Sequence, residues 1–359
     1  LLKSLFRGWV VATAIFSFNS TAFAEEWFPL EVDIWQPPFN ADRSRVDAVY
    51  HPLEKASKEW RICVSIPHLK DAYWITVNYA LVDEAKRLGV RLRLDEAGGY
   101  NKLDVQRAQV NGCMSKGADA LIVSSISADG LNDLVDNIID EGKPVVDLIN
   151  SISAKRITAR AAVDFWDNGY QAGEYLLELV KGQFGRVLWF PGPKGPVWSA
   201  SGDQGFRDAL ADSTIEIVST EWGDTGRSVQ AELIEKTLDR YDDIDFIVGT
   251  TVSAEAAVDI LRERGLSDKI RVLSYYYGPG VHNLIRRGLI AGAPTDKQGL
   301  QARMALDIAI RALEGETFVR HVGPKVEVIT RQSLRDFDVT TSIPPKGFRP
   351  VFSFNDWVD

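Results

Sequence analysis

The chain has 359 residues, a formal net charge of -9, 45% hydrophobic residues and 25% charged residues, an ordinary globular composition at a length beyond what one hydrophobic core usually supports. The acidic balance and the lack of any basic run exclude nucleic acid as the main partner, because phosphate contacts require a basic face. Ten Trp and ten Tyr stand beside two Met, and many of these rings fall between the periodic segments rather than on core-facing stripes.

Residues 1–24 carry Lys3 and Arg7, an apolar run from Trp9 to Phe18 and the small-residue site Ala22-Phe23-Ala24, a pattern that predicts a secretory signal peptide. The run is shorter than the roughly 20 residues that a spanning helix needs. The expectation is a cleaved signal and a mature protein that does not span a membrane. Residues 25–59 hold Trp27, Phe28, Trp35, Pro37, Pro38 and Phe39 without clear periodicity. A solvated linker would forfeit roughly 1.5–3 kcal/mol of burial for each such ring, so this aromatic extension is predicted to lie against the body as a strap covering a lobe. A partner surface is the alternative.

From Trp60 strands and helices alternate. The run Ile62 to Ile66, rich in β-branched residues, predicts a buried parallel strand closed by Pro67. A helix follows to Leu88, with Val77, Ala80, Leu81 and Ala85 at helical spacing and Gly89 as its stop. Strands are predicted at 90–94, 120–123 and 144–148, with helices at 102–116 and 129–141 between them. Residues 161–163 then lead to a helix at 169–180. A second series repeats the first, with strands at 185–190, 215–220, 246–249 and 271–274 and helices at 201–211, 228–238, 253–265 and 280–288. A helix at 298–313 and a strand at 326–329 end the regular part. Such alternation implies parallel sheets of right-handed βαβ units. Ligands of open α/β sheets bind beyond the carboxyl ends of the strands, so the loop Pro67 to Trp74 is the first place to look for a site.

Two cysteines are too few for a disulfide framework. Cys63 in the first strand and Cys113 in the helix at 102–116 read as buried small apolar residues, with a bridge between them as the alternative. No metalloprotease, phosphate-loop or nucleophile-elbow motif occurs, and His51, His68, His282 and His321 lack metal-ligand spacing. His68 reads as a surface loop residue. The expectation is a protein that is not an enzyme and uses no metal or cofactor.

The order of elements resembles the type I periplasmic binding proteins. These are α/β proteins of two lobes, each a parallel sheet flanked by helices, joined by three crossings and closing on a small ligand. The resemblance implies lobe one at 60–162 plus 295–323 and lobe two at 163–294 plus 324–359. The loop Lys70-Asp71-Ala72-Tyr73-Trp74, the crossing Val163-Asp164-Phe165-Trp166, the run Tyr275-Tyr276-Tyr277 and the aromatic extension resemble the branch of that family that senses trimethylamine N-oxide. In that branch the partner is the periplasmic domain of a membrane sensor histidine kinase. The resemblance implies an aromatic cage, since ring faces attract methylated nitrogen and phenol or indole donors can meet the oxide. The candidates are Tyr73, Trp74, Trp166, Trp198, Tyr275, Tyr276 and Tyr277, with the acids Asp71, Asp164 and Asp296. The acids keep a sugar or polar-metabolite carrier of a transporter as the alternative; singly, each also reads as a helix cap or crossing contact.

Overall fold

The computed structural model describes residues 27–357, so the predicted signal peptide lies outside the described residues. Two strands, β1 (Leu30–Trp35) and β2 (Arg45–Tyr50), precede the βα series. The first half runs β3 (Arg61–Ile66), α1 (Ala72–Leu88), β4 (Arg91–Glu96), α2 (Leu103–Ser115), β5 (Ala120–Val123), α3 (Asn132–Asp140), β6 (Val145–Leu148) and β7 (Ala159–Ala161). The second runs α4 (Phe165–Val180), β8 (Gly185–Gly192), α5 (Val197–Leu210), β9 (Ile215–Trp222), α6 (Arg227–Leu238), β10 (Phe246–Gly249), α7 (Thr251–Glu263), β11 (Arg271–Ser274), α8 (Pro279–Arg287) and β12 (Gly292–Thr295). The chain ends with α9 (Gln298–Glu314), β13 (His321–Pro324), β14 (Glu327–Thr330) and β15 (Ser353–Phe354).

These elements form the two-lobed type I periplasmic binding protein fold. Lobe one is built on a nine-stranded sheet in the order β15-β4-β3-β5-β6-β7-β13-β1-β2. Its interior from β4 to β13 is parallel, as the right-handed crossover rule requires. Lobe two holds the parallel sheet β11-β10-β8-β9, and β12 pairs antiparallel with β14. Three crossings join the lobes, between β7 and α4, between β12 and α9, and between β13 and β14. A further passage follows β14: β15 returns to pair with β4 and Trp357 packs into a lobe-one cluster, whereas the resemblance implies 324–359 in lobe two. On the way, Asn78 and the Val351 backbone exchange hydrogen bonds of 2.8 and 2.9 Å.

The aromatic extension is more regular than a strap. β1 pairs antiparallel with β13 and β2 with β1, so the extension widens the lobe-one sheet. Trp35 stacks on His321 at 4.2 Å, and the Tyr50 hydroxyl donates to Asp307 at 2.6 Å. These strands escape sequence reading because Pro37 and Pro38 interrupt the alternation, and the partner edge β13 comes almost 300 residues later. The cysteines also depart from expectation. Cys63 on β3 and Cys113 on α2 form a disulfide, with 6.1 Å between their Cα atoms across 50 residues of chain, because α2 packs directly on β3.

Helices α4 and α5 lie in backbone contact. A Cβ on Gly169 would stand 2.0 Å from the Gly202 carbonyl oxygen, and one on Gly205 would stand 2.0 Å from that of Trp166. Gly205→Ala must therefore push the two helices apart and is expected to lower stability by about 1–3 kcal/mol in chemical denaturation; a change within 0.5 kcal/mol would refute the contact. Cys63→Ala/Cys113→Ala releases a long loop in the unfolded chain and is expected to cost about 2–4 kcal/mol in the same measurement.

Candidate functional site

The lobe-one wall of the cleft begins with the cap of α1. Asp71 is extended (φ -108°, ψ 133°), and its Oδ1 accepts the Tyr73 backbone N–H at 2.9 Å, which satisfies one of the free amides of the first turn. The cap turns Tyr73 and Trp74 into the cleft, their ring centroids 5.5 Å apart. The Tyr73 hydroxyl donates to Asp296 Oδ2 at 2.5 Å, and Gln301 Nε2 donates to the same oxygen at 2.7 Å. Burial pushes the Asp296 carboxyl up to about 6 despite these donors. Tyr100 follows β4, and Ile149 and Asn150 follow β6. Ile149 holds a positive φ of 64°, rare for a β-branched residue and found where surrounding packing imposes it.

The lobe-two wall comes from helix starts and strand ends. Phe165 opens α4, Trp198 opens α5, Thr225 follows β9 and Tyr276 follows β11. Trp198 lies 5.6 Å from Phe165, 5.9 Å from Tyr276 and 5.9 Å from Tyr100. Tyr276 meets Tyr73 of the opposite lobe edge to face at 5.4 Å. Together with Asp71, Trp74, Ile149, Asn150 and Thr225 these rings line a closely packed cavity of about 10 Å³, room for roughly one water-sized group.

The lobes are apposed by polar contacts at the rim. Lys70 Nζ reaches Asp224 at 2.8 Å, and His68 Nε2 shares a hydrogen bond with Thr225 Oγ1 at 3.0 Å. His68 is buried rather than a surface loop residue; burial lowers its pKa to about 3, so it is neutral. Thr251 Oγ1 approaches Asp71 Oδ2 at 3.5 Å. Burial raises the Asp71 carboxyl to about 6. Among the described residues one donor in the cavity wall makes no well-aligned hydrogen bond: the indole N–H of Trp198, a residue only 4% exposed, has only an imperfect approach to the Tyr100 hydroxyl.

The structure brings Asp71, Tyr73, Trp74, Trp198 and Tyr276 to the cavity wall. Tyr275 lies behind it, stacked parallel to Trp198 at 6.3 Å with its hydroxyl on the Pro191 carbonyl. Asp296 stands behind Tyr73 and holds its phenol. Tyr277 turns into the second core of lobe two, where its hydroxyl meets His282 Nδ1 at 2.7 Å. Trp166 is outside the cavity: it stacks on Tyr170 at 4.6 Å, lies under Arg43 and donates from Nε1 to Asp208 at 2.6 Å. Asp164 caps α4 through the Trp166 N–H at 2.9 Å and is paired with Arg43 at 2.7 Å. The reason is that α4 begins at Phe165, four residues before its predicted start. Adjacent helical positions are about 100° apart, so the helix turns Phe165 inward and Trp166 outward. Sequence reading also missed Tyr100, Ile149, Asn150 and Thr225, although each follows a strand and the strand-end rule applies to all four.

A family model described as a periplasmic binding protein domain matches residues 62–317, more than half of the chain. Periplasmic protein TorT of Escherichia coli K12 is 35% identical over 300 residues, covering 84% of this chain and 86% of that protein. An ABC transporter solute binding protein from Bradyrhizobium sp. BTAi1, solved with bound Bis-Tris, is 44% identical with a TM-score of 0.80, covering 92% of this chain and 99% of that one. TorT in complex with the TorS sensor domain in the presence of trimethylamine N-oxide matches with a TM-score of 0.74 at 31% identity, covering 82% of this chain and all of that one. The fold, the family model and the likeness to TorT agree: the chain belongs to the periplasmic binding proteins, and its compartment is the periplasm.

Proposed function

We propose that this protein senses trimethylamine N-oxide and presents its closed, ligand-bound form to the periplasmic domain of a TorS-like sensor histidine kinase. The observation that carries this reading is the box of aromatic rings divided between the two lobes, with the Trp198 indole N–H poorly satisfied by Tyr100 inside it. Trimethylamine N-oxide has three methyl groups on a positive nitrogen and one strongly accepting oxygen. Ring faces attract the methylated head, by about 0.5–2 kcal/mol each when desolvated, and a poorly satisfied buried donor is completed by the oxide. Tyr73, Trp74, Tyr100, Phe165, Trp198 and Tyr276 supply the faces, with Tyr275 backing Trp198 and Asp296 orienting Tyr73. The likeness to TorT, solved with a TorS sensor domain, supports the partner. Since both lobes contact the ligand, binding shifts the lobes toward apposition, and affinities for ligand and kinase domain are linked reciprocally.

A second reading, a solute carrier for a transporter, is favoured by the 44% identity to the Bradyrhizobium protein. Its Bis-Tris is a tertiary amine bearing hydroxyl groups, so a cage for substituted nitrogen suits both readings. Calorimetric titration with trimethylamine N-oxide and with ribose separates the ligands, and co-purification with a TorS-like periplasmic domain separates the roles. Saturable binding of ribose alone would overturn the proposal.

Trp198→Phe keeps the ring face and removes the donor, so N-oxide affinity is expected to fall roughly 3- to 10-fold for one hydrogen bond. Trp74→Ala removes a whole face and should cost about 3- to 30-fold. Trp166→Ala, outside the cavity, is expected to leave affinity within about 2-fold, since its side chain contacts Tyr170, Arg43 and Asp208 instead.

A further inference from the structure

The cavity wall holds an acid without an ion-pair partner. Asp71 is the one ionisable acid in its wall, and the residue is 6% exposed. Oδ1 is occupied by the helix amide, whereas Oδ2 has only the long 3.5 Å approach of Thr251. Among the described residues no cation lies within ion-pair distance of Asp71, and only the field of Lys70 partly offsets its charge. Lys70, its neighbour in sequence, is drawn off to Asp224 at 2.8 Å, and Arg227 of lobe two is committed to Asp259 at 2.5 Å, with Glu255 3.9 Å away. The other groups that face Asp71 are Tyr73 on its own helix, Tyr100 after β4, Tyr276 after β11, and Thr251 and Glu255 on α7. All are neutral or acidic. An ionised carboxylate in such a place carries a desolvation cost that only a cation or a proton removes.

Resting on the reading of the site as an N-oxide receptor, we infer that one proton enters with the ligand and is held in a hydrogen bond between the free Asp71 oxygen and the ligand oxygen. The proton comes from solvent and no covalent bond between heavy atoms changes. The bound site is then electrically neutral, with two donors on the oxide: this proton and the Trp198 N–H. The ligand class follows. A neutral methylated N-oxide binds with a proton, a methylated ammonium cation binds to the ionised carboxylate without one, and a betaine, whose carboxylate would confront Asp71, is rejected.

The linkage belongs to Asp71 in particular because its surroundings are assembled by the approach of the lobes. Thr251, Glu255 and Tyr276 belong to lobe two, whereas Asp71 belongs to lobe one. Asp296 is instead held by Tyr73 and Gln301 on the helices that line lobe one, and Glu255 lies against Gly280 and Arg227 of its own lobe. Separating the lobes would let water reach Asp71 and move its pKa down toward the ordinary carboxyl value of 3.8, below the value of about 6 to which burial raises it in the apposed structure. A raised carboxyl pKa favours the apposed state below the separated-state value, and that contribution is lost as pH rises through the apposed value. Between these two values affinity for the N-oxide must fall by up to tenfold per pH unit.

The test is calorimetric titration of the mature protein at pH 5.5 in buffers of different ionisation enthalpy, with trimethylamine N-oxide and tetramethylammonium as separate probes. The expected result is uptake of about 0.7 of a proton per N-oxide and none per tetramethylammonium. Asp71→Asn, which retains a capping oxygen and a side-chain donor, should bind the N-oxide without uptake and with an affinity flat in pH; Glu255→Gln should retain the uptake. Circular dichroism of each variant checks that it is folded. Saturable N-oxide binding by the wild type with no buffer dependence overturns this inference and leaves the functional reading standing. Equal uptake with tetramethylammonium also overturns it, because the proton would not then lie on the oxide. Absence of any N-oxide heat at either pH 5.5 or pH 4.5 overturns the functional reading, and the inference with it.

Discussion

The Asp71 cap is the contact on which the site depends. Its Oδ1 completes the first turn of α1 through the Tyr73 amide at 2.9 Å, which fixes where the helix begins and therefore which of its side chains face the cleft. A start one residue later would rotate Tyr73 and Trp74 by about 100° and take both rings out of the cavity wall. The same side chain lines the cavity, so one residue both caps the helix and places a carboxyl in the cavity wall. A carboxylate is well suited to a helix start, where free amides and the helix dipole favour negative charge. Apposition of the lobes then sets desolvation against that preference.

The opposite wall depends on a different constraint. Phe165 and Trp198 stand at the first turns of α4 and α5, and the distance between them is set by the glycine seam at Gly169, Gly202 and Gly205, where the two backbones touch. Tyr275 packs over Gly202 and stacks behind Trp198. Ring pairs of this kind contribute about 0.5–1.5 kcal/mol beyond their area, and several converge here. The cavity wall is consequently held by packing on each side and divided between lobes, so its two halves meet only when the lobes do.

Much of the cavity wall was legible in the chain because strand ends in a parallel sheet converge on one edge. Tyr73, Trp74, Trp198 and Tyr276, which that rule singles out, line the cavity. Phe165 and Trp166 were transposed because the predicted start of α4 fell at Gly169; Asp164 as a cap would have placed it correctly. In the tyrosine triplet, chain position could not choose among three adjacent rings, and it is the packing of Tyr275 on Gly202 and of Tyr277 in the second core that leaves Tyr276 for the cavity. The buried state of His68 is equally a product of the second lobe, since Thr225 comes from the other end of the cleft wall.

From residues alone came the alternation of strands and helices, the two similar halves, the stop of α1 at Gly89 with its φ of 76°, and the clustering of aromatic residues at strand ends. Each is set by periods of two or 3.6 residues or by the conformational range of one residue, and so is written locally. Tertiary structure alone decided the Cys63–Cys113 bridge, the addition of β1 and β2 to the sheet beside β13, and which acids are compensated. Asp164 has Arg43 and Asp147 has Arg160 at 2.6 Å, while among the described residues Asp71 has no ion-pair partner and only the more distant field of Lys70. Those outcomes depend on which groups meet across long separations in sequence, and electrostatic compensation in particular is a property of neighbours in space that no local pattern of residues encodes.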